Sequence, residues 1–588
     1  MAFSSPAFSS VSSFISIVPE KFSGTGKPNL LVRGCLSTNY EKQSVSLDND
    51  TDFRSNLLKH LKYPIGHPSF AEDIHVEHAR KLKAFKHMLS RVRKDSFEGL
   101  AIIDAVQRLG IDYHFQEEIQ QIIRRQYVIS ATYPFQHHYL QEIPLRFRLL
   151  RQEGYNVPTD MFNKFINKDG KFKQRVREDI NSLMGLYEAS QLCIGGEDVL
   201  DEARQFSSKL LNQSMSHLDP YQAKIVRNTL LYPYHRSSAR FMAKNFFLSN
   251  FQGENEWIHV FQELAKMDFN LVQSLHQREI VQISKWWKDL GLAKKLEFAR
   301  EQPLKWYIWS MACLTDANLS WQRIELTKPI SFIYIIDDIF DVYGTLDELT
   351  IFTEIVNRWD HAAIDQLPDY MKICFKVLDD ITNEISYKVY KEHGFNPVHS
   401  LRKAWSSLCN AFLVEAKWFA SENMPKAEEY LKNGIISSGV HVVLVHIFFL
   451  LGQNVTKETV ELIDNNPGII SSTATILRLW DDLGSAKDEN QEGKDGSYVH
   501  YYMKEHQGSS VQAAEEHAMS KISDAWKCLN KECLSPNPFP ASFTRASLNL
   551  ARMVPLMYSY DDKQRLPSLE EYIKSLLFEN EEPTRGVY

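Results

Sequence analysis

Ser331-Phe332-Ile333-Tyr334-Ile335-Ile336-Asp337-Asp338-Ile339-Phe340-Asp341 and, far downstream, Ile476-Leu477-Arg478-Leu479-Trp480-Asp481-Asp482-Leu483-Gly484-Ser485-Ala486-Lys487-Asp488-Glu489 decide how this chain is read. Each is an apolar run of helical periodicity that ends in carboxylates. On a helix Asp337 and Asp341 stand i,i+4, and Asp481, Ser485 and Glu489 stand i,i+4,i+8, so each set projects oxygen ligands from one face. Two such faces can oppose each other. Oxygen donors without His or Cys suit Mg²⁺, which prefers octahedral oxygen coordination, keeps several waters and is commonly shared with substrate phosphates. The expected ligand is therefore a diphosphate. A D-D-x-x-D arises by accident in roughly one chain in ten of this length and the longer second pattern in roughly one in fifty, so the pair, not either motif, carries the argument.

The 588 residues, 44% of them hydrophobic, can bury large cores and allow several domains. A net charge of −7 leaves no electrostatic footprint for nucleic acid. The longest apolar run, His441 to Leu451, carries two histidines and falls short of the roughly 18 residues of a membrane span, so a buried helix and a soluble chain are expected. The seven cysteines are scattered without CxxC spacing, which argues against a disulfide framework or thiolate metal site. Residues 1–45 differ from the rest: ten are serine, no acidic residue precedes Glu20, and Lys21, Lys27, Arg33 and Lys42 outnumber Glu20 and Glu41. That composition fits a disordered transit peptide and a plastid address, the chloroplast stroma, with a merely disordered N-terminus as the alternative.

Beyond Thr51 nearly every segment reads as helix, as in Leu100 to Leu109, Phe115 to Ile129, Lys173 to Gln191 and Gln277 to Leu290. No period-2 alternation competes, so the fold class is all-α, with antiparallel helices and short loops. All 11 tryptophans lie between Trp257 and Trp526, which places a boundary near residue 265: an N-terminal helical domain over 46–265 and a catalytic domain over 266–588.

An allylic diphosphate suits such a site, because its C–O bond breaks once the leaving charge is neutralised. Arg478, three residues before Asp481, shares its helical face and can pair with phosphate oxygens; a surface salt bridge is the alternative. The cation left behind needs aromatic faces in a dry cavity. Tyr334, one turn before Asp337, and Trp309 and Trp306 on an earlier apolar helix offer them, with core packing as the competing role. Ser437-Ser438-Gly439 interrupts the pattern from Tyr430 to Leu451 and is expected either to break the helix, turning carbonyls into the cavity, or to mark a plain junction. Asp379-Asp380 with Glu384, and Asp561-Asp562, read as solvated.

These motifs and several others resemble those of plant terpene synthases of the ionisation-initiated class. Arg108-Leu-Gly-Ile-Asp-Tyr-His-Phe115, Leu145-Arg-Phe-Arg-Leu-Leu-Arg-Gln152, Leu200-Asp-Glu-Ala-Arg204, Trp286-Trp287-Lys-Asp-Leu-Gly291, Asp341-Val-Tyr-Gly-Thr345 and Tyr502-Met-Lys-Glu-His506 all match family stretches, over about residues 50 to 580. The resemblance implies an N-terminal helical barrel, a C-terminal class I bundle and three Mg²⁺ ions, with Mn²⁺ as substitute. It implies metal ligation by Asp337, Asp338, Asp341, Asp481, Ser485 and Glu489, with Asp338 orienting rather than ligating as an alternative. Arg478 matches a diphosphate-binding arginine, Trp309 a cavity aromatic, and Arg300 the first arginine of an R-x-R element that holds the departed diphosphate. Here Gln302 replaces the second. A prenyl diphosphate substrate is implied, bound by Arg300, Asp337, Asp341, Arg478 and Asp481, in a monomer without nucleic-acid or membrane partners.

The tandem-arginine motif of many cyclising monoterpene synthases needs a tryptophan near the start of the mature chain, and none precedes Trp257. The combination resembles the clade making acyclic alcohols: linalool from geranyl diphosphate, with geraniol, or nerolidol from farnesyl diphosphate, as alternatives. No D-x-D-D supports protonation-initiated cyclisation. A prenyl-chain elongating synthase would be shorter and carry a second D-D-x-x-D, and a non-enzymatic helical scaffold would leave both acidic faces solvated.

Overall fold

The computed structural model describes residues 68–93, 96–132, 141–166, 173, 179–244, 256–296, 301–421, 424–488, 496–559 and 567–578. Among them every regular element is helical, as the periodicity predicts. The N-terminal part comprises α1 (Pro68–Arg91), α2 (Phe97–Arg108), α3 (Gln116–Thr132), α4 (Glu142–Gln152), α5 (Ile180–Ser190), α6 (Asp198–Ser214) and α7 (Pro220–Leu231). Next comes the 35-residue α8 (Glu256–Leu290), within which the boundary expected near residue 265 falls. The remainder is α9 (Pro303–Cys313), α10 (Ser320–Asp338), α11 (Leu346–Arg358), α12 (Asp369–His393), α13 (Val398–Ser421), α14 (Ala427–Ser437), α15 (Val440–Leu451), α16 (Lys457–Ile463), α17 (Gly468–Asp488), α18 (Tyr498–Glu505), α19 (Val511–Leu534), α20 (Ala541–Tyr558) and α21 (Pro567–Leu577).

In α4, the three arginines of the Leu145–Gln152 stretch are buried and each meets a carboxylate: Arg146 with Glu142, Arg148 with Asp104, and Arg151 with Glu197 at 2.7 Å. A buried guanidinium needs such a partner, so this stretch is structural. At the join of α1 and α8, Asp268 Oδ1 accepts from the Tyr113 hydroxyl at 2.6 Å and lies 2.8 Å from His114 Nε2 and 3.5 Å from His78 Nε2, while Arg240 reaches Oδ2 at 3.2 Å. Burial works against the charge of Asp268, but the two histidines and Arg240 hold its carboxyl well below the usual range. With that carboxylate already engaged by Tyr113, His114 and Arg240, and His78 close beside it, the group reads as a structural clamp.

The C-terminal bundle closes around α15, whose 12 residues are all buried among α10, α13, α17 and α20. The stretch Ala427–Leu451 is, against expectation, long and apolar enough to cross a membrane by length and composition. Its apolar window is 83% buried in protein, and Gly439, at φ +70°, splits it into α14 and α15. Asp379 is also not solvated: it is buried and accepts from Asn383 at 2.9 Å and Arg402 at 3.2 Å, because α13 packs its basic face there. Asp380 and Glu384 remain exposed. The six described cysteines are free.

The two parts of the chain are latched through α19. Asn530, fully buried, accepts from His235 Nε2 at 2.8 Å and donates to the carbonyls of Gln191 and Cys193 at 3.0 and 2.9 Å. Since α19 packs along α17, the N-terminal part bears on the helix that carries the second acidic motif.

Candidate active site

Helix α9 begins with Pro303 in its first turn, where a missing N–H costs nothing, and presents Trp309 to the bundle interior. Helix α10 delivers Tyr334, Asp337 and Asp338 and then widens into a π turn, Ile339–Tyr343, that holds Asp341. The expected regular α-helical spacing of the first motif therefore ends at Asp338. Four residues are close to one turn in either geometry, so Asp337 and Asp341 still share a side, at a rotation their spacing does not specify. The π turn closes through Gly344 N–H to Ile339 O at 2.8 Å. A capping box of Thr345 and Glu348 then starts α11.

Asp337 is fully buried, and Asp338, Asp341, Asp481 and Asp482 nearly so. The charge of Asp337 acts on Asp481, so these two buried carboxylates, one from each motif, lie within electrostatic reach of each other. Burial pushes the Asp481 carboxyl up to about 8 against the pull of Arg478, and the neighbouring Asp482 and Asp337 add to the rise. Carboxylates crowded into a dry site are short of positive charge, and hard oxygen donors in that state fit a divalent cation. Arg478 is buried, with NH1 3.5 Å from Asp481 Oδ2, 3.5 Å from Asp482 Oδ1 and 3.3 Å from the Tyr430 hydroxyl oxygen, to which it donates. The surface-salt-bridge alternative is thus corrected: Arg478 does meet carboxylates, but inside the protein. Ser485 lies on α17 with its side chain outside the description, and Arg300 and Glu489 lie outside the described residues, as do residues 1–45 and Asp561-Asp562.

Below the carboxylates lies a narrow apolar cavity of about 30 Å³ among Trp309, Ile333, Tyr334, Val443, Leu477 and Tyr558. Trp309 Nε1 donates to the Tyr334 hydroxyl oxygen at 3.0 Å, which fixes the indole ring beside that space. Trp306, three residues earlier, is instead core: it is fully buried with its ring edge-on to Trp287 at 4.9 Å. The helix break is real and Ser438 lines the cavity. The carbonyls just before the break are used locally: Gly434 O accepts from Ser438 N–H, Ile435 O from the Ser438 hydroxyl and Ile436 O from Gly439 N–H. A Cβ at Gly439 would lie 2.8 Å from Ile333 Cγ2, so the junction presses directly on the cavity wall of α10.

Three residues beside these side chains escaped the sequence reading. Lys305 sits 5.8 Å from the Tyr334 ring centroid and its charge acts on Asp481; its one signal was its place a turn before Trp309. Tyr430 and Tyr558 arrive from α14 and α20, and nothing in their local sequence marks them.

Comparison with known proteins places this geometry. Residues 288–528 match the metal binding domain of the terpene synthase family and residues 55–230 match the terpene synthase N-terminal domain. An (E)-nerolidol synthase of Cannabis sativa is 56% identical over 91% of this chain and 97% of its own. The chloroplastic S-(+)-linalool synthase of Arabidopsis thaliana is 47% identical over 98% of this chain and all of its own. The crystal structure of isoprene synthase from grey poplar with three Mg²⁺ ions and dimethylallyl-S-thiolodiphosphate superposes with a TM-score of 0.80 at 36% identity, covering 86% of this chain and 97% of that one.

Proposed function

The chain belongs to the terpene synthase family, and from that premise we propose that it ionises geranyl diphosphate and captures the allylic cation with water to release linalool. One observation carries the reading: a buried, mutually repelling set of carboxylates stands directly above an apolar cavity faced by Trp309 and Tyr334. Asp337, Asp338, Asp341 and Asp481, with Ser485 and Glu489, are the proposed metal ligands. Divalent cations held there, Mg²⁺ by preference for oxygen and three in number as in the poplar relative, with Mn²⁺ as substitute, would supply the charge that makes diphosphate a leaving group.

Arg478 and Arg300 grip the diphosphate oxygens, so that the bond to the allylic carbon breaks with its electron pair going to the anion. The Trp309 face stabilises the cation and the apolar walls exclude all but the attacking water. Water oxygen bonds to the tertiary carbon, where more positive charge resides, and its surplus proton passes to the departed diphosphate or to solvent. Recapture of the diphosphate, which ring closure requires, is disfavoured by Gln302 in place of an arginine and by the missing N-terminal tryptophan motif.

A farnesyl-specific reading, giving nerolidol, is favoured by the higher identity to the nerolidol synthase than to the linalool synthase. Gas chromatography of products from both diphosphates decides: linalool as chief product from geranyl diphosphate is expected, mainly cyclic hydrocarbons overturn the acyclic reading, and turnover of farnesyl diphosphate alone establishes the second. The plastid address, shared with the chloroplastic relative, is tested by a fluorescent fusion of residues 1–45, with cytosolic residence overturning it.

A further inference from the structure

Gly434 lies inside α14, where glycine is less favourable than alanine. Its reason is a neighbour. A Cβ added there would stand 3.0 Å from Arg478 Cγ, 3.1 Å from Cδ and 3.2 Å from Nε, so the arginine stem runs against the bare backbone of α14. One turn earlier, the Tyr430 hydroxyl accepts from Arg478 NH1 at 3.3 Å and donates to Asp482 Oδ1 at 2.8 Å. The Tyr501 ring, 4.9 Å away centroid to centroid, backs the Tyr430 ring. Asp482 Oδ2 accepts the Tyr498 N–H at 3.0 Å, which joins the network to the start of α18. The adjacent carboxylates thus divide their work: Asp481 faces Asp337, and Asp482 faces α14 and α18.

We propose that Gly434, Tyr430 and Asp482 form a cradle that aims the Arg478 guanidinium at the diphosphate, which makes them positioning residues for the leaving group. This rests on the anion-binding reading of Arg478 given above. Arginine carries rotamer freedom that anion binding would otherwise remove, and a cradle removes it during folding instead.

Gly434→Ala separates this role from a merely structural one, because helix propensity favours alanine while the Cβ displaces the arginine stem by a few tenths of an ångström. Expected is an unchanged or higher melting temperature together with pyrophosphate inhibition in the presence of Mg²⁺ weakened about tenfold, the order of one charge-assisted hydrogen bond. Tyr430→Phe should weaken it similarly. In an Arg478→Ala background, Gly434→Ala should add nothing, since the two changes act through one side chain. Parental pyrophosphate inhibition and kcat/KM in both Gly434→Ala and Tyr430→Phe would overturn the cradle. So would a full additional loss on Arg478→Ala. If Arg478→Ala by itself inhibits like the parent, the anion-binding reading falls, and the cradle with it; that outcome is distinct because it appears without any change to α14.

Discussion

The indole of Trp309 and the phenol of Tyr334 are joined by a 3.0 Å hydrogen bond that ties α9 to α10 one turn before Asp337. The bond places an aromatic face and a metal-ligating candidate in one rigid unit, so cavity shape and acidic site are set together. Tyr334→Phe should leave the buried indole N–H without this acceptor, at a cost of about 1–3 kcal/mol. A lower melting temperature and a broader product spectrum by gas chromatography are expected; an unchanged profile with unchanged stability would remove the hydrogen bond from the account.

Metal-free stability should depend on Asp481. Its carboxyl stays protonated in the folded protein to about pH 8, whereas the unfolded chain loses the proton near 3.8. The folded-state value is raised, so the metal-free protein loses stability as pH rises between those values. Mg²⁺ binding at neutral pH should therefore release a proton, visible as a buffer-dependent heat in calorimetry. Asp481→Asn should stabilise the metal-free protein and abolish the rise in melting temperature on adding Mg²⁺.

Behind the cavity, Glu279 on α8 takes a two-pronged ion pair from Arg323 on α10 at 2.7 and 2.8 Å and a hydrogen bond from Tyr307 on α9 at 2.7 Å. Burial opposes its charge, yet the paired hydrogen bonds from Arg323 hold the carboxyl down at about 2. Glu279→Gln should cost about 3–5 kcal/mol by chemical denaturation, because it strands a buried guanidinium. Replacing Glu279 and Arg323 together with Met should cost less than Glu279→Gln alone; a larger loss would show that the pair stabilises beyond mutual compensation.

His441 and His446 on α15 contribute to the acid limb, with the buried His235 and His276 depressed in the same direction. Burial depresses the two on α15 to about 4, against hydrogen bonds to the Ala404 and Val442 carbonyls. Depressed values mean that the unfolded chain takes up protons first. Stability should thus fall as pH drops from about 6.5 toward 4, by up to about 1.4 kcal/mol per pH unit for each histidine. His446→Gln should flatten that limb in denaturation curves taken across the range; an unaltered slope would assign acid sensitivity elsewhere.

Much of the molecule was legible in its sequence because helix periodicity and carboxylate spacing are local properties, set by hydrogen bonds between residues four apart. The all-helical class, the break at Gly439 and the two acidic motifs all follow from neighbours along the chain. What tertiary structure alone decided is rotation and partnership. Trp306 and Trp309 both lie on a helix buried on every side, so no periodicity distinguishes the core ring from the cavity ring. Asp481 and Asp482 are adjacent, and only the arrival of α14 and α18 directs one inward and the other to Tyr430 and Tyr498. Asp379 is buried by Arg402 from another helix, and Asp341 rides a π turn that a D-D-x-x-D pattern does not encode. Each depends on contacts between residues distant in sequence, where packing fixes which face of a helix meets which neighbour.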